Sequence, residues 1–414
     1  MNNLETIILD NGLKIYLYSD LRKHSTFFQF TTLCGGLTKH FKYRGCEYHL
    51  SDGISHILEH YIVECNDSGN FLDKLGKRQM STNASTQFKD TSYYFETVED
   101  VLFGIKTMLE GINNVSFKPD KLEKLKNPIL QEIRGKYDNK FYHLNKKKIT
   151  NLFNSLNFTD IGGTLEEVKN AKIEDLKILY DALYQPSNQF IVIAGNFNKD
   201  EVLGVIRNFY AKNKKKYYPF ELIRSKEDVH VNKKNDTIYF PTPTDYCDLS
   251  FKFDVSNYTS KQLLDLDFFL HCFFGSSFGI TSPLYKRFVS RKIITETISC
   301  TMVIINKTLI ISIGAYTYDL KAFSKGILDE VKTLNNLSEE KFELDKKSSI
   351  VGLIMRDESI FNTIYPFIYN IVCFNYPYMD KVLDIDNLKY TDYVDSIKRL
   401  DFSNYTKIVI KDKK

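Results

Sequence analysis

The spacing of apolar positions changes several times along the chain, and each change marks an element. ETIIL (5–9) and LKIYLY (13–18) flank Asp10-Asn11-Gly12. Asn-Gly supplies the positive φ angles of a tight turn, so this stretch predicts a hairpin. STFFQFTTL (25–33) is apolar, β-branched and aromatic, which predicts a buried strand. At 53–64 the period turns helical, with Ile54, Ile57, Leu58 and Tyr61 at i, i+3, i+4 and i+7. Residues 81–98 are rich in Thr and aromatics and predict paired strands, and 99–115 predict a helix with Val101, Ile105, Met108, Leu109 and Ile112 on one side. A helix over 174–184 is stopped near Pro186, then come a buried strand at 188–197 and a helix at 199–211.

The stretch after residue 212 is Lys-rich and polar without a consistent period, so 213–235 reads as an interdomain linker. Beyond it the order repeats: strands near 237–240 and 247–254, a helix at 260–273, strands near 298–315, and helices at 319–336 and 338–355. The chain therefore divides into 1–212 and 236–414, each with strands first and helices after, as a duplicated α+β unit. Its 414 residues exceed one ordinary core, which fits two domains.

Composition narrows the function classes. The net charge of +4 comes from 56 basic and 52 acidic residues, which gives no basic footprint for nucleic acid. Lysine runs such as KNKKKYY (212–218) read as solvated loops. No apolar run of roughly 18 residues is present, so no membrane span is expected. The first residues lack a basic stretch followed by an apolar one, so no signal peptide is expected either. Seven cysteines are scattered without a Cys-x-x-Cys pair. That pattern suits reduced thiols, and a cytoplasmic location is expected.

One short stretch carries chemistry. GISHILEHYIVEC (53–65) places His56, Glu59 and His60 on the predicted helix. Positions i and i+4 share a face, so both imidazoles can point at one ion. Two histidines and a carboxylate are a zinc set with a fourth position open to water. Glu59 lies near enough to take a proton from that water. The competing explanation is a polar pair decorating a surface helix. Against it, the three residues interrupt an apolar stripe, so some are buried and need partners.

The His-x-x-Glu-His order is that of inverted zincins. With it, ILDNGLKIYL, STNASTQFKDTSYYF, GGTLEEVKNAKIEDLKILYDALYQPSNQFIVIAGNF and GSSFGITSPLYKRF occur in the right order. On these segments the chain resembles the insulinase/pitrilysin family of zinc peptidases, particularly short bacterial members and subunits like mitochondrial processing peptidase. The resemblance implies two homologous α+β halves, each a mostly antiparallel sheet packed with helices, forming half of a clamshell-like chamber. It also implies a Zn2+ endopeptidase acting on peptides or short unfolded segments, with peptide processing as the expected role. The runner-up it allows is a non-catalytic peptide-binding or assembly subunit of the same fold.

Residue by residue, the resemblance makes His56 and His60 metal ligands and Glu59 the catalytic base. The third ligand is a Glu seventy-odd residues downstream, which Glu132 fits, at 132 − 60 = 72. Glu123, Glu110 and Glu99 are rival carboxylates. Asn83 and Ala84 match a strand segment that pairs with extended substrate. Two departures stand out. Leu125 occupies the position, seven before Glu132, where the resemblance implies a supporting Glu, so either the support of the site is altered or Glu123 substitutes for it. Asn127-Pro128 reads as the N-cap and first residue of a new helix. In the second half, Val289 and Thr295 stand where the family carries a substrate-binding Arg and Tyr, with Arg287 and Arg291 out of register. A homologous partner chain, in a heterodimer or homodimer, would supply both.

Overall fold

The computed structural model describes residues 4–67, 69–154, 160–224, 227–334, 337–356, 359–377 and 381–413. The first half opens with β1 (Leu4–Ile8), β2 (Lys14–Ser19), β3 (Thr26–Thr32), β4 (His40–Tyr43) and β5 (Cys46–His49). Helices α1 (Ile54–Glu64) and α2 (Phe71–Gly76) lead to the hairpin β6 (Ser81–Thr86) and β7 (Thr91–Thr97). Then come α3 (Val101–Asn113), α4 (Pro119–Tyr137), α5 (Lys140–Leu152), α6 (Leu165–Asn170) and α7 (Ile173–Leu183). Strand β8 (Gln189–Gly195), α8 (Lys199–Lys212) and β9 (Phe220–Leu222) follow. The second half begins with β10 (Asn235–Tyr239), β11 (Tyr246–Asp254), α9 (Ser260–Phe278) and α10 (Pro283–Ser290). Next are β12 (Ser299–Ile305), β13 (Thr308–Tyr316), α11 (Leu320–Thr333), α12 (Glu339–Arg356) and α13 (Ile360–Phe374). Helices α14 (Lys381–Asn387) and α15 (Tyr390–Lys398) precede β14 (Tyr405–Lys411).

The duplication is explicit in the sheets. The first has the order β1-β2-β8-β3-β7-β6 and the second β10-β14-β11-β13-β12. Without β1 the two orders coincide. Each has one parallel pair, β2 with β8 and β10 with β14, and antiparallel neighbours elsewhere. β3 and β8 are buried at every position, as continuous apolar runs inside a two-faced sheet must be. This is the expected α+β architecture in two related halves.

By contacts, the chain forms two compact units that exchange a helix. One comprises Met1–Lys136, Thr159–Arg224 and Arg356–Val372; the other comprises Tyr137–Phe158, Ser225–Met355 and Cys373–Lys414. Helix α13 thus covers the first sheet, where Phe361 packs on Phe27 at 5.5 Å and Phe367 on Tyr16 at 5.3 Å between ring centroids. Helix α5 covers the second sheet, its Leu144 clustering with Tyr246, Ile408 and Ile410. A division of the sequence at 213–235 does not capture this exchange. Within that stretch β9 pairs with β4, and residues 225 and 226 lie outside the described residues. So do 335 and 336 of the helix expected at 319–336.

Two expectations need correction. No helix starts at Asn127-Pro128; α4 runs unbroken from Pro119 to Tyr137 with Pro128 inside it. The apolar stripe Leu122, Leu125, Ile129, Leu130 and Ile133 is continuous across the proline, and its burial outweighs one lost backbone hydrogen bond. The stretch Ser260–Ser290 is also long and apolar enough to cross a membrane by length and composition, contrary to the expectation of none. Half of its most apolar 18-residue window is buried inside the protein, and Phe269, Leu270 and Phe273 of α9 are buried.

Candidate metal centre

Helix α1 is buried on most sides, and Gly53 makes its entry possible. Gly53 has φ +74°, and a Cβ there would meet the Gly162 carbonyl oxygen at 2.6 Å. The Asp160–Gly163 turn is thereby packed directly behind the start of α1. Only small residues permit that approach.

The three polar residues of α1 find partners as burial requires. Glu59, 7% exposed, accepts a 2.7 Å hydrogen bond from the Thr86 hydroxyl at the end of β6. The Nε2 atoms of His56 and His60 lie 3.2 Å apart with rings edge to face. Helix α4 brings Glu132 to the same point, because the buried Ile129 and Ile133 fix the helix face that turns it there. Glu132 Oε1 is 3.6 Å from His56 Nε2, and Oε2 is 3.3 Å from His60 Nε2. Lys136, one turn on, pairs with Glu132 at 2.7 Å, and Glu64 accepts from His60 Nδ1 at 3.0 Å. His56 Nδ1 is buried without a partner among the described residues.

The electrostatics follow from this packing. Burial, then the neighbouring His60, holds the His56 ring down to about 4. At His60 burial opposes the charge, but hydrogen bonds to Glu132 and Glu64 prevail and raise it to about 9. The His60 bond, against burial and with help from Lys136, lowers Glu132 to about 2. Burial raises Glu59 above the usual carboxylate range despite the Thr86 bond. Charge is thus favoured on His60 by the two carboxylates that bracket it and disfavoured on His56 by burial.

A family profile described as the Peptidase M16 inactive domain matches residues 170–348. The zinc protease YmfH of Bacillus subtilis, itself uncharacterized, is 28% identical over 296 residues, 70% of this chain and 69% of that protein. The crystal structure of an M16-like peptidase from Alicyclobacillus acidocaldarius superposes with a TM-score of 0.92 at 22% identity, over 99% of this chain and 98% of that one. A protease structure from Helicobacter pylori gives 0.81 at 18% identity, over 99% of both chains. On these matches the chain is similar to zinc proteases in sequence and shares the fold of M16-like peptidases. The matched profile begins after Glu132, so its "inactive" description applies to a span without the His and Glu cluster.

Among the described residues, His56, His60 and Glu132 form the one group of His, Cys, Asp or Glu ligand atoms close enough to share an ion. Zinc with ligand bonds of about 2.0–2.1 Å sets tetrahedral ligand atoms about 3.3 Å apart. The two imidazole nitrogens are 3.2 Å apart, close to that figure, and one ligand atom from each of the three residues lies within 4.8 Å of the others, so the donor set fits zinc in chemistry and proximity. The rival carboxylates do not join the cluster. Glu123 is 67% exposed and paired with Lys126, so it does not replace the supporting Glu, while Leu125 is buried in the α4 stripe. Glu110 and Glu99 are exposed.

Asn83 and Ala84 sit on β6, an edge strand in this sheet, whose last residue is the Thr86 that holds Glu59. The Asn83 side chain donates to Tyr94 and accepts from the Ala84 N–H. In the second unit, Val289 is 48% exposed on α10, and Thr295, Arg287 and Arg291 are exposed beside it. Sequence reasoning missed Glu64, Thr86, Lys136 and the Asp160–Gly163 turn. Glu64 and Lys136 stand four residues after His60 and Glu132, a helical spacing that could have revealed them. Nothing local ties Thr86 or Asp160 to α1.

Proposed function

We propose that the chain is a zinc-dependent endopeptidase, an inverted zincin in which His56, His60 and Glu132 hold the metal and Glu59 is the general base. The observation that carries this reading is two imidazoles and a carboxylate whose ligand atoms lie within 4.8 Å of one another, beside a buried carboxylate fixed by Thr86. Zinc bound there supplies Lewis-acid polarisation of a scissile carbonyl and acidifies water. Glu59, whose proton affinity burial has raised, accepts the proton from that water and delivers it to the departing amine. Edge strand β6, with Asn83 and Ala84, takes the backbone of an extended peptide as an added strand, which accommodates varied side chains.

The substrates are peptides or short unfolded segments, and the setting is cytoplasmic peptide processing. A homologous partner chain, in a heterodimer or a homodimer, supplies the Arg and Tyr for which this chain has Val289 and Thr295. The same two residues favour a second reading, a subunit of the same fold that binds peptide without cleaving it.

The test is incubation of the purified zinc-loaded chain with a mixed peptide pool, with and without a homologous partner, reading products by mass spectrometry. Cleavage is expected with the partner present, and Glu59→Gln lowers it by about 10²–10⁴-fold. Full-rate cleavage by the chain alone sinks the partner requirement. Absence of cleavage in both arms, with zinc bound, establishes the binding subunit instead.

A further inference from the structure

We infer that Glu64 is the positioning carboxylate of the metal centre, holding the His60 ring through Nδ1 so that Nε2 points at His56 and Glu132. The inference rests on the zinc reading above and adds a residue to it.

Three observations converge on Glu64. Its Oε1 lies 3.0 Å from His60 Nδ1, one helical turn away on the same face of α1. An imidazole whose second nitrogen donates to a carboxylate has a fixed tautomer, a fixed ring plane and a more basic metal-facing nitrogen. Leu125, seven residues before Glu132 on α4, is 3% exposed in an apolar stripe and unable to accept a hydrogen bond. Glu123, the nearby alternative, is turned to Lys126.

The third observation is where Glu64 stands. It is the last residue of α1, in a final turn without any basic residue. A carboxylate there faces the negative end of the helix dipole, where an acid is disfavoured. Its side chain is 38% exposed, so it contributes little apolar packing. A stability role does not account for an acid at this end of this helix. A partner for His60 does. The two rings also differ: His60 has a carboxylate on its outer nitrogen, while His56 Nδ1 has no partner among the described residues. One orienting bond therefore sets the pair, and it is the one made by Glu64.

The test uses the full chain, with zinc affinity measured by competition against a chromophoric chelator and metal content by elemental analysis. Thermal unfolding of the metal-free protein is the second readout. Glu64→Ala is expected to weaken zinc binding by about 10–100-fold. The melting temperature of its metal-free form should fall only slightly, as expected for the loss of one partly exposed ion pair. Glu64→Gln keeps an acceptor for Nδ1–H without the charge and should lose less; His60→Ala should lose stoichiometric zinc. If Glu64→Ala binds zinc within about twofold of wild type while His60→Ala does not, the Glu64 role fails and the metal reading stands. A metal-free melting temperature for Glu64→Ala lowered well beyond that slight fall also overturns it, in favour of a structural role. Wild-type protein that takes up no stoichiometric zinc, or His60→Ala binding as well as wild type, overturns both readings.

Discussion

At the scale of single residues, burial decides which polar groups are chemically unusual. Asp90, at the foot of β7, shows this away from the metal centre. The residue is 7% exposed, and burial raises its carboxyl from 3.8 to about 6 against the Ser92 hydroxyl bond. The folded chain holds this proton more tightly than the unfolded chain. Stability is therefore lost as pH rises from about 4 through 6, and it stays lost above that range. Asp90→Asn, which can still accept from Ser92, is expected to be more stable than wild type by up to about 3 kcal/mol at pH 8. The gain should vanish near pH 4, as paired thermal melts at the two pH values would show. The residues of the candidate centre were legible to unequal degrees. His56, Glu59 and His60 announce themselves because three polar groups break an apolar stripe in a ligand spacing. Glu132 needed the family pattern, since no local rule links it to α1 across 72 positions. Thr86 stayed hidden because a threonine in a strand is ordinary until the fold sets it against Glu59.

At the scale of elements, the hydrophobic period proved a better guide than local punctuation. Asn127-Pro128 is a standard helix-opening signal, yet α4 passes through it because five buried apolar residues keep one stripe from Leu122 to Ile133. Pro128 itself is exposed and contributes a missing N–H. Pro128→Ala is expected to restore that bond and stabilise the helix by up to about 3 kcal/mol. Slower amide hydrogen exchange across 119–137 would register the change. The strands were legible because each lies in a run of β-branched and aromatic residues bounded by turn signals. Their pairing partners were not, because register depends on residues far apart in sequence. Edge strand β6 next to α1 is a product of pairing, and the site inherits it.

At the scale of the whole molecule, the duplication was visible as a repeated order of strands and helices, whereas the exchange of α5 and α13 was not. An amphipathic helix shows that it has an apolar face without showing which sheet receives it. Phe367 of α13 is 1% exposed against Tyr16 of the first sheet. Phe367→Ala should cost about 3–5 kcal/mol. The loss should appear as faster hydrogen exchange in β2 and β8 of the first sheet, although residue 367 belongs to the second half of the sequence.

The exchange also gives the order of synthesis a meaning. Strand β8, the last strand of the first sheet, is complete at Gly195, and α13 ends at Phe374, which is 374 − 195 = 179 residues later. At about 5–20 residues per second, a ribosome needs roughly 10–35 seconds to cover that distance. For that interval Tyr16 and Phe27 have no aromatic cover from α13, while α5 is already made and waits for β11 and β14. A newborn chain therefore carries two unfinished apolar surfaces at once, each the proper match of a segment not yet made. General chaperones that hold apolar surface have their longest opportunity on this chain between those two events.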